Sequence, residues 1–342
     1  MTGTPGRKRR PTQSDVARHA GVSQAAVSQA LNNSTAITIP AETRQRIMAA
    51  ITELGYVPDE MARSLRSRKS RTIASIIPDI TNPFYPAFTR GIQDVAEHNG
   101  YALLIYNTDG MAEKEQKCLR LAQQGRVDGI IGVFFHVRAV DLRLLLERDI
   151  AVVRLEVAPQ EAGELTLDSI YVNNTNAARA AVTYLIERGH TRIGMLSGRL
   201  GPHNARATGY RQALAEHQIP YESDLIRVTD FTETGGQAGM RALLGCSAPP
   251  TAVFAANDLM AIGALVTIRE AGLRVPQDIA MIGFDNIPAA RVVYPTLTTV
   301  TQFQEQLGRR AAEMLFERLN NTAPEGGRSV EMPYEIITRE SA

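Results

Sequence analysis

The chain has no tryptophan, 2 cysteines in 342 residues and only 6% aromatic residues. Two cysteines cannot build a disulfide framework, so Cys118 and Cys246 are expected to be reduced, structural thiols. No stretch approaches the roughly 18 consecutive apolar residues of a membrane-spanning helix, so no membrane partner is expected. The opening M-T-G-T-P-G-R-K-R-R-P has no apolar core of a secretory signal, which makes the cytoplasm the expected compartment. The 6 histidines and 2 cysteines show no zinc spacing, so no metal is expected. Also missing are G-x-G-x-x-G after the first strand, G-x-x-x-x-G-K-[ST], and a G-x-S-x-G surround for Ser197. Dinucleotide, P-loop and serine-hydrolase chemistry therefore have no motif to stand on, and neither an enzyme nor a cofactor is expected.

Net charge is nearly absent too, at +1, but this sum hides an asymmetry. Residues 1–71 hold 12 Lys/Arg against 5 Asp/Glu, and the rest of the chain carries the compensating acidic excess. A basic head on an acidic body is the footprint of nucleic-acid binding by one end.

The head explains the asymmetry. Thr12 can cap a short helix, with Asp15 three residues on, and Val16, Ala17 and Ala20 form its apolar face. Gly21 breaks that helix, and Ser23 can cap a second one through Ala25, Val27, Ser28 and Leu31. Two short helices around a glycine turn make a helix-turn-helix, whose second helix enters the DNA major groove. Gln24, Ala25, Ser28 and Gln29 are then the candidates for base edges. A third helix is expected from Pro40, with Ile47, Ile51 and Leu54 repeating toward the first two and Gly55 as its stop. After it, Asp59 can cap one more helix, carrying Ala62 and Leu65 among Arg63 and Arg66. That helix is too short to persist alone in water, so it should depend on a partner.

The ordered segments D-V-A-x-x-A-G-V-S-x-x-x-V-S-x-x-L-N, E-T-R-x-x-I, E-L-G-Y-x-P and M-A-R-S-L resemble the LacI/GalR family of bacterial transcriptional regulators. The resemblance implies a helix-turn-helix head at residues 1–58, a hinge helix and linker at 59–71, and a two-lobed effector-binding and dimerisation core at 72–342. Thr12, Ser23, Asn32, Thr43 and Tyr56 join the recognition-helix residues as expected DNA contacts. The resemblance also implies that Ala62, Arg63 and Leu65 act in the minor groove, with Leu65 as a wedge at the operator centre.

From residue 72 onward, apolar strands alternate with helices, and the series restarts near residue 170. Near-continuous apolar strands in β-α units indicate parallel sheets covered on both faces. The expected fold is α/β, with two doubly wound parallel-sheet lobes and a ligand cleft beyond the carboxyl ends of the strands. Ala139–Arg148 reads as a helix and Val330–Ile337 as a last strand. N-P-F-Y, V-D-G-I-I, R-A-T-G-Y, F-A-A-N-D-L-M-A-I-G-A and I-G-F-D-N make this body similar to the family's core, itself similar to periplasmic sugar-binding proteins. The family pattern implies that the chain crosses between the lobes three times.

Polar and aromatic residues cluster where strands end. Phe84, Tyr85, Glu156, Arg206, Phe231, Asn257 and Asp285 match positions that line the effector cleft in relatives. Carboxylates and amides can hold sugar hydroxyls, Arg supplies several donors, and aromatic faces cover a ring. The expected effector is a sugar, with a purine or another small metabolite as the alternative. For each residue there is a plainer role: Asn257 can simply cap a helix, and Asp79 can be a turn residue. The chain departs from the family pattern at V-N-N, Val172 to Asn174, where a common acidic contact is either absent or replaced by Asn173. It departs again in a shortened loop from Gly198 to Arg206 and in the bulk of Phe134, Phe135 and His136. An import solute-binding protein would account for the body but not the head. An architectural DNA binder would account for the head but not a lined cleft. The combination predicts a repressor that binds near-palindromic double-stranded operator DNA as a homodimer under control of a small molecule.

Overall fold

The computed structural model describes residues 9, 11–32, 39–57, 69–156 and 165–342. The chain falls into two units, Met1–Arg68 and Lys69–Ala342.

In the first unit, α1 (Gln13–Ala20) starts on a reciprocal cap. The Thr12 amide donates to Asp15 Oδ2 at 2.9 Å, and the Asp15 amide donates to Thr12 Oγ1 at 3.3 Å. Two of the helix start's orphan donors are thereby satisfied. Gly21 ends the helix at φ +63°, a left-handed conformation glycine adopts without steric cost. Ser23 Oγ accepts the Ala26 amide at 3.2 Å at the start of α2 (Gln24–Asn32). Helix α3 (Ala41–Leu54) begins one residue later than expected, with Pro40 just outside it. Val16, Val27 and Ile47 are completely buried where the three helices meet, with Ile51, Leu54 and Tyr56 packed around them.

The second unit holds two six-stranded sheets. The chain runs β1 (Thr72–Ile77), α4 (Phe84–His98), β2 (Ala102–Asn107), α5 (Ala112–Leu121), β3 (Gly129–Gly132), α6 (Arg143–Leu146), β4 (Ala151–Glu156) and β5 (Asp168–Val172). It continues with α7 (Asn174–Ile186), β6 (Ile193–Ser197), α8 (His203–Glu216), β7 (Ile226–Val228), α9 (Glu233–Leu244), β8 (Ala252–Ala255), α10 (Asp258–Glu270), β9 (Ala280–Asp285) and β10 (Thr298–Thr301). Last come α11 (Gln304–Leu319), β11 (Ser329–Met332) and β12 (Glu335–Ile337). The first sheet is ordered β11-β5-β4-β3-β1-β2 and the second β12-β10-β9-β8-β6-β7. Pairing is parallel throughout except between β10 and β12.

Two expectations are corrected. Residues 330–337 are not one strand: β11 closes the first sheet and β12 the second, so the chain changes lobe between them. Alternation read from sequence cannot separate two short strands on one line from a single longer one. The segment 139–148 is a 3-10 turn at Ala139–Leu142 followed by the single turn α6, not a full helix. Crossings after β5, after β10 and after β11 give the three that the family pattern implies.

Helix α11, although it follows the second sheet, packs on α4 and joins the core of the first lobe through Leu307, Ala311, Met314 and Leu315. Its close approach to α4 needs two glycines. A Cβ on Gly91 would collide with the Glu305 carbonyl, and one on Gly308 with the Phe88 carbonyl. The strand order reverses direction between β1 and β3 in one sheet and between β6 and β8 in the other. Those reversals are where open α/β sheets leave a crevice at their carboxyl ends.

Candidate functional site

A cavity of about 420 Å³ lies between the carboxyl ends of the two sheets. Pro78 and Asp79 follow β1, Val133 and Phe135 follow β3, and Arg199 and Leu200 follow β6; Asn257 follows β8 and Asp285 ends β9. All of them line the cavity, as do Phe84, Tyr85, Arg206 and Phe231. Of the seven residues expected from the sequence, six are therefore brought together. Glu156 ends β4, and its side chain lies outside the described ones; its neighbour Leu155 lines the wall.

The cavity lining includes a buried ion pair. Arg206, on the first turn of α8, places Nη2 3.6 Å from Asp285 Oδ1, and both side chains are about 95% buried. Its Nε donates to Asn174 Oδ1 at 2.9 Å, its Nη1 donates to the Ala256 carbonyl, and its guanidinium carbon stands 3.7 Å over the Phe284 ring. The arginine is held in one orientation by four different partners. Asp285 accepts from Gln302 Nε2 at 2.7 Å, and its carbonyl accepts from Gln304. Burial pushes the Asp285 carboxyl up to about 6, against the downward pull of Arg206 and Gln302. Asp285 also sits at φ +109°, a conformation that costs a non-glycine residue about 1–3 kcal/mol and concentrates at functional sites.

Next to it, Asp258 is fully buried at the start of α10. It accepts the Ile287 amide at 2.8 Å and Thr299 Oγ1 at 2.5 Å. Burial and the nearby Asp285 push its pKa well above the ordinary carboxylate range. Asn257 combines the two roles weighed for it. Its Oδ1 caps α10 by accepting the Met260 amide at 2.9 Å, its Nδ2 donates to the Phe231 carbonyl at 3.1 Å, and it lines the cavity. Asp79 likewise makes a turn with the Thr81 amide, at 2.8 Å, while facing the cavity.

The aromatic wall differs from the expectation. Phe84 is buried edge-to-face against Tyr85, with ring centres 5.1 Å apart. Of Phe134, Phe135 and His136, only Phe135 lines the cavity. Phe134 packs on the core of its lobe, and the His136 ring bonds the Gly110 carbonyl through Nε2 at 3.0 Å.

The sequence reading placed Asn173 where relatives have an acid. Its Oδ1 instead accepts the Asn176 amide at 3.1 Å and caps α7, so the inward residue is Asn174. Two successive asparagines at a strand-to-helix junction were the available signal, since the first position caps and the second turns inward. Gln302 gave no such signal, because T-Q-F-Q has no recognisable spacing.

In the head, Gln24 and Ala25 are exposed at the start of α2, and Ser28 and Gln29 are half-buried one turn on. Gln24 is hydrogen-bonded to Gln13 and Ser14 of α1, at 3.3 Å each. Thr12 and Ser23 are helix caps, Thr43 is half-buried on α3, and Tyr56 packs on the head core. Asn32 ends α2, with its side chain outside the described ones; Ala62, Arg63 and Leu65 lie outside the described residues.

Two family models match the chain: bacterial regulatory proteins of the lacI family at residues 12–59, and a periplasmic binding protein-like domain at residues 182–342. The HTH-type transcriptional repressor PurR of Vibrio atlanticus (strain LGP32) is 36% identical over 332 residues, which is 96% of this chain and 97% of that protein. The HTH-type transcriptional repressor CytR of Escherichia coli (strain K12) is 36% identical over 336 residues, 96% of each chain. Among solved structures, the lac repressor dimer bound to operator and the anti-inducer ONPF superposes with a TM-score of 0.86 at 26% identity, covering 97% of this chain and 99% of that one.

Proposed function

From the premise that the chain belongs to the lacI family of bacterial regulatory proteins, we propose a transcriptional repressor whose grip on operator DNA is set by a small molecule between the lobes. The helix-turn-helix head binds double-stranded DNA, and the protein works as a dimer, because a two-fold protein reads a two-fold site. Domain boundaries at 58 and 71, with a hinge between, are part of this reading.

The effector reading rests on one observation: a buried, fully oriented Arg206–Asp285 pair in the lining of an aromatic-walled cavity. That combination fits a sugar. Arg206, Asp285 and Asn257 hold hydroxyls, and Phe231 covers the apolar face of the ring. A purine is the second reading, favoured by the three phenylalanines that line one cavity, Phe84, Phe135 and Phe231.

The second protomer has a surface to meet. Leu104 and Ile105 are exposed on β2, an edge strand of the first sheet, and Val292 and Tyr294 are more than 80% exposed before β10. Exposed apolar residues on an edge strand are an association site unless another chain covers them.

A thermal-shift screen of sugars, nucleosides and nucleobases tests the effector reading. Stabilisation by a sugar, lost in Asp285→Asn, supports it. Stabilisation by nucleobases alone would transfer the assignment to the second reading.

A further inference from the structure

One side chain of the first lobe reaches across the cavity to the second. Phe135 follows β3 of the first lobe, and its ring packs against Gly201, in the turn after β6 of the second lobe. A Cβ on Gly201 would stand 2.9 Å from Phe135 Cε1, so the ring occupies the space that any larger residue at 201 would need. On the other side the same ring backs onto Gly110, where a Cβ would lie 3.2 Å from Cδ2. The charged groups nearby are neutralised within their own lobes, Asp109 by Lys114 and Arg199 by Asp230.

Phe135 does not hang there freely. Glu115, with no exposed surface, spends its carboxylate on the backbone of this loop. Oε1 accepts the Phe135 amide at 2.8 Å, and Oε2 accepts the amides of His136 at 3.0 Å and Val137 at 3.1 Å. A buried carboxylate that collects three amide hydrogens fixes the backbone beneath the ring, since each bond to a charged acceptor is among the stronger kind. The His136 ring ties the loop a fourth time, to the Gly110 carbonyl.

We propose that Phe135 is the gate of the cleft. It bridges the lobes through Gly201, and Glu115 is the positioning residue that keeps it there. The contact is a ring on a glycine backbone, weak enough to break when the lobes part and specific enough to favour their closed arrangement. The inference concerns closure of the core and holds whichever effector occupies the cavity, so its failure would leave the effector assignment standing.

The test uses the full chain, ligand-free, with Cys118→Ser and Cys246→Ser as background. Spin labels are placed at Glu113→Cys and Asn204→Cys, exposed positions near the starts of α5 and α8 on opposite lips. Electron–electron double resonance then reads the distance between the lips. Phe135→Ala is expected to lengthen the mean distance by more than about 2 Å, the scale of a real domain rearrangement. Glu115→Gln is expected to lengthen it with Phe135 still present, because an amide cannot accept at both positions. Phe135→Leu, which keeps an apolar side chain but withdraws the ring edge from Gly201, is a second variant for the case in which the alanine fails to fold. It is also expected to lengthen the distance. Distances matching wild type in a folded Phe135→Ala or Phe135→Leu chain would overturn the gate.

Discussion

Arg206 and Asp285 carry the electrostatics of the cavity, and their burial decides how each can be tested. Arg206→Ala removes a ligand donor, but it also strands Asp285 among apolar neighbours without its cation. Breaking a buried pair in this way costs about 3–5 kcal/mol. Urea denaturation of Arg206→Ala is expected to show a loss of that order; a stability equal to wild type would mean that the pair is not formed. Asp285→Asn also leaves Arg206 without its anion, but it keeps the volume and an acceptor for Gln302, so it disturbs the packing less as a probe of binding. The carboxyl titrates near 6 because it is buried. Ligand hydroxyls donate to the ionised form, so effector affinity should rise as pH increases through about 6 and be lost below it. In the unliganded chain the sign is opposite. The native carboxyl holds its proton more tightly than the unfolded one, so its contribution to stability is present at low pH and lost as pH rises through about 6. Calorimetric titration at about pH 5 and about pH 8 checks the affinity. A flat profile in wild type, equal to that of Asp285→Asn, would exclude this carboxylate as a ligand contact.

At the scale of elements, the DNA chemistry is proposed to lie on α2 and on the segment after α3. Gln29 lies on α2 one turn beyond exposed Gln24 and Ala25. Glutamine can bind adenine bidentately at N6 and N7, whereas arginine prefers guanine. Gln29→Ala should change the half-site recovered in a binding-site selection, and identical half-sites would reduce Gln29 to a phosphate contact. Leu65 is proposed as a wedge in the central base step, which costs unstacking and is offset by contacts to bent DNA. Leu65→Ala is expected to weaken specific binding by about 1–3 kcal/mol, the value of a mismatched pair, while non-specific binding barely changes. Equal operator affinity and equal bending in that variant would rule the wedge out. These elements also show what sequence can carry. The head was legible nearly to the residue, because caps such as Thr12 with Asp15 and stops such as Gly21 are local chemistry written in adjacent positions. The helix α11 was legible as a helix but not as part of the first lobe, since its placement depends on a chain crossing and on paired glycines 217 positions apart, Gly91 and Gly308. In the cavity, Arg206 and Asp285 stood in recognisable motifs. Asn174 was signalled only by following the capping Asn173, and Gln302 by nothing in its neighbours, since T-Q-F-Q has no recognisable spacing.

The whole molecule joins a basic head to an acidic two-lobed core, and control of one by the other requires that they exchange free energy. If a ligand changes operator affinity by some factor, operator must change ligand affinity by the same factor. We propose closure of the lobes, with Phe135 as its gate, as the two-state element through which such coupling acts. The most direct measurement is operator affinity by fluorescence anisotropy, with and without the compound that gives the largest thermal shift, for wild type and Asp285→Asn. The account predicts a change of about 5- to 150-fold in wild type, an unliganded affinity in the variant equal to wild type, and no ligand effect in the variant. A compound that binds the cavity of the wild-type chain and leaves its operator affinity unchanged would contradict it.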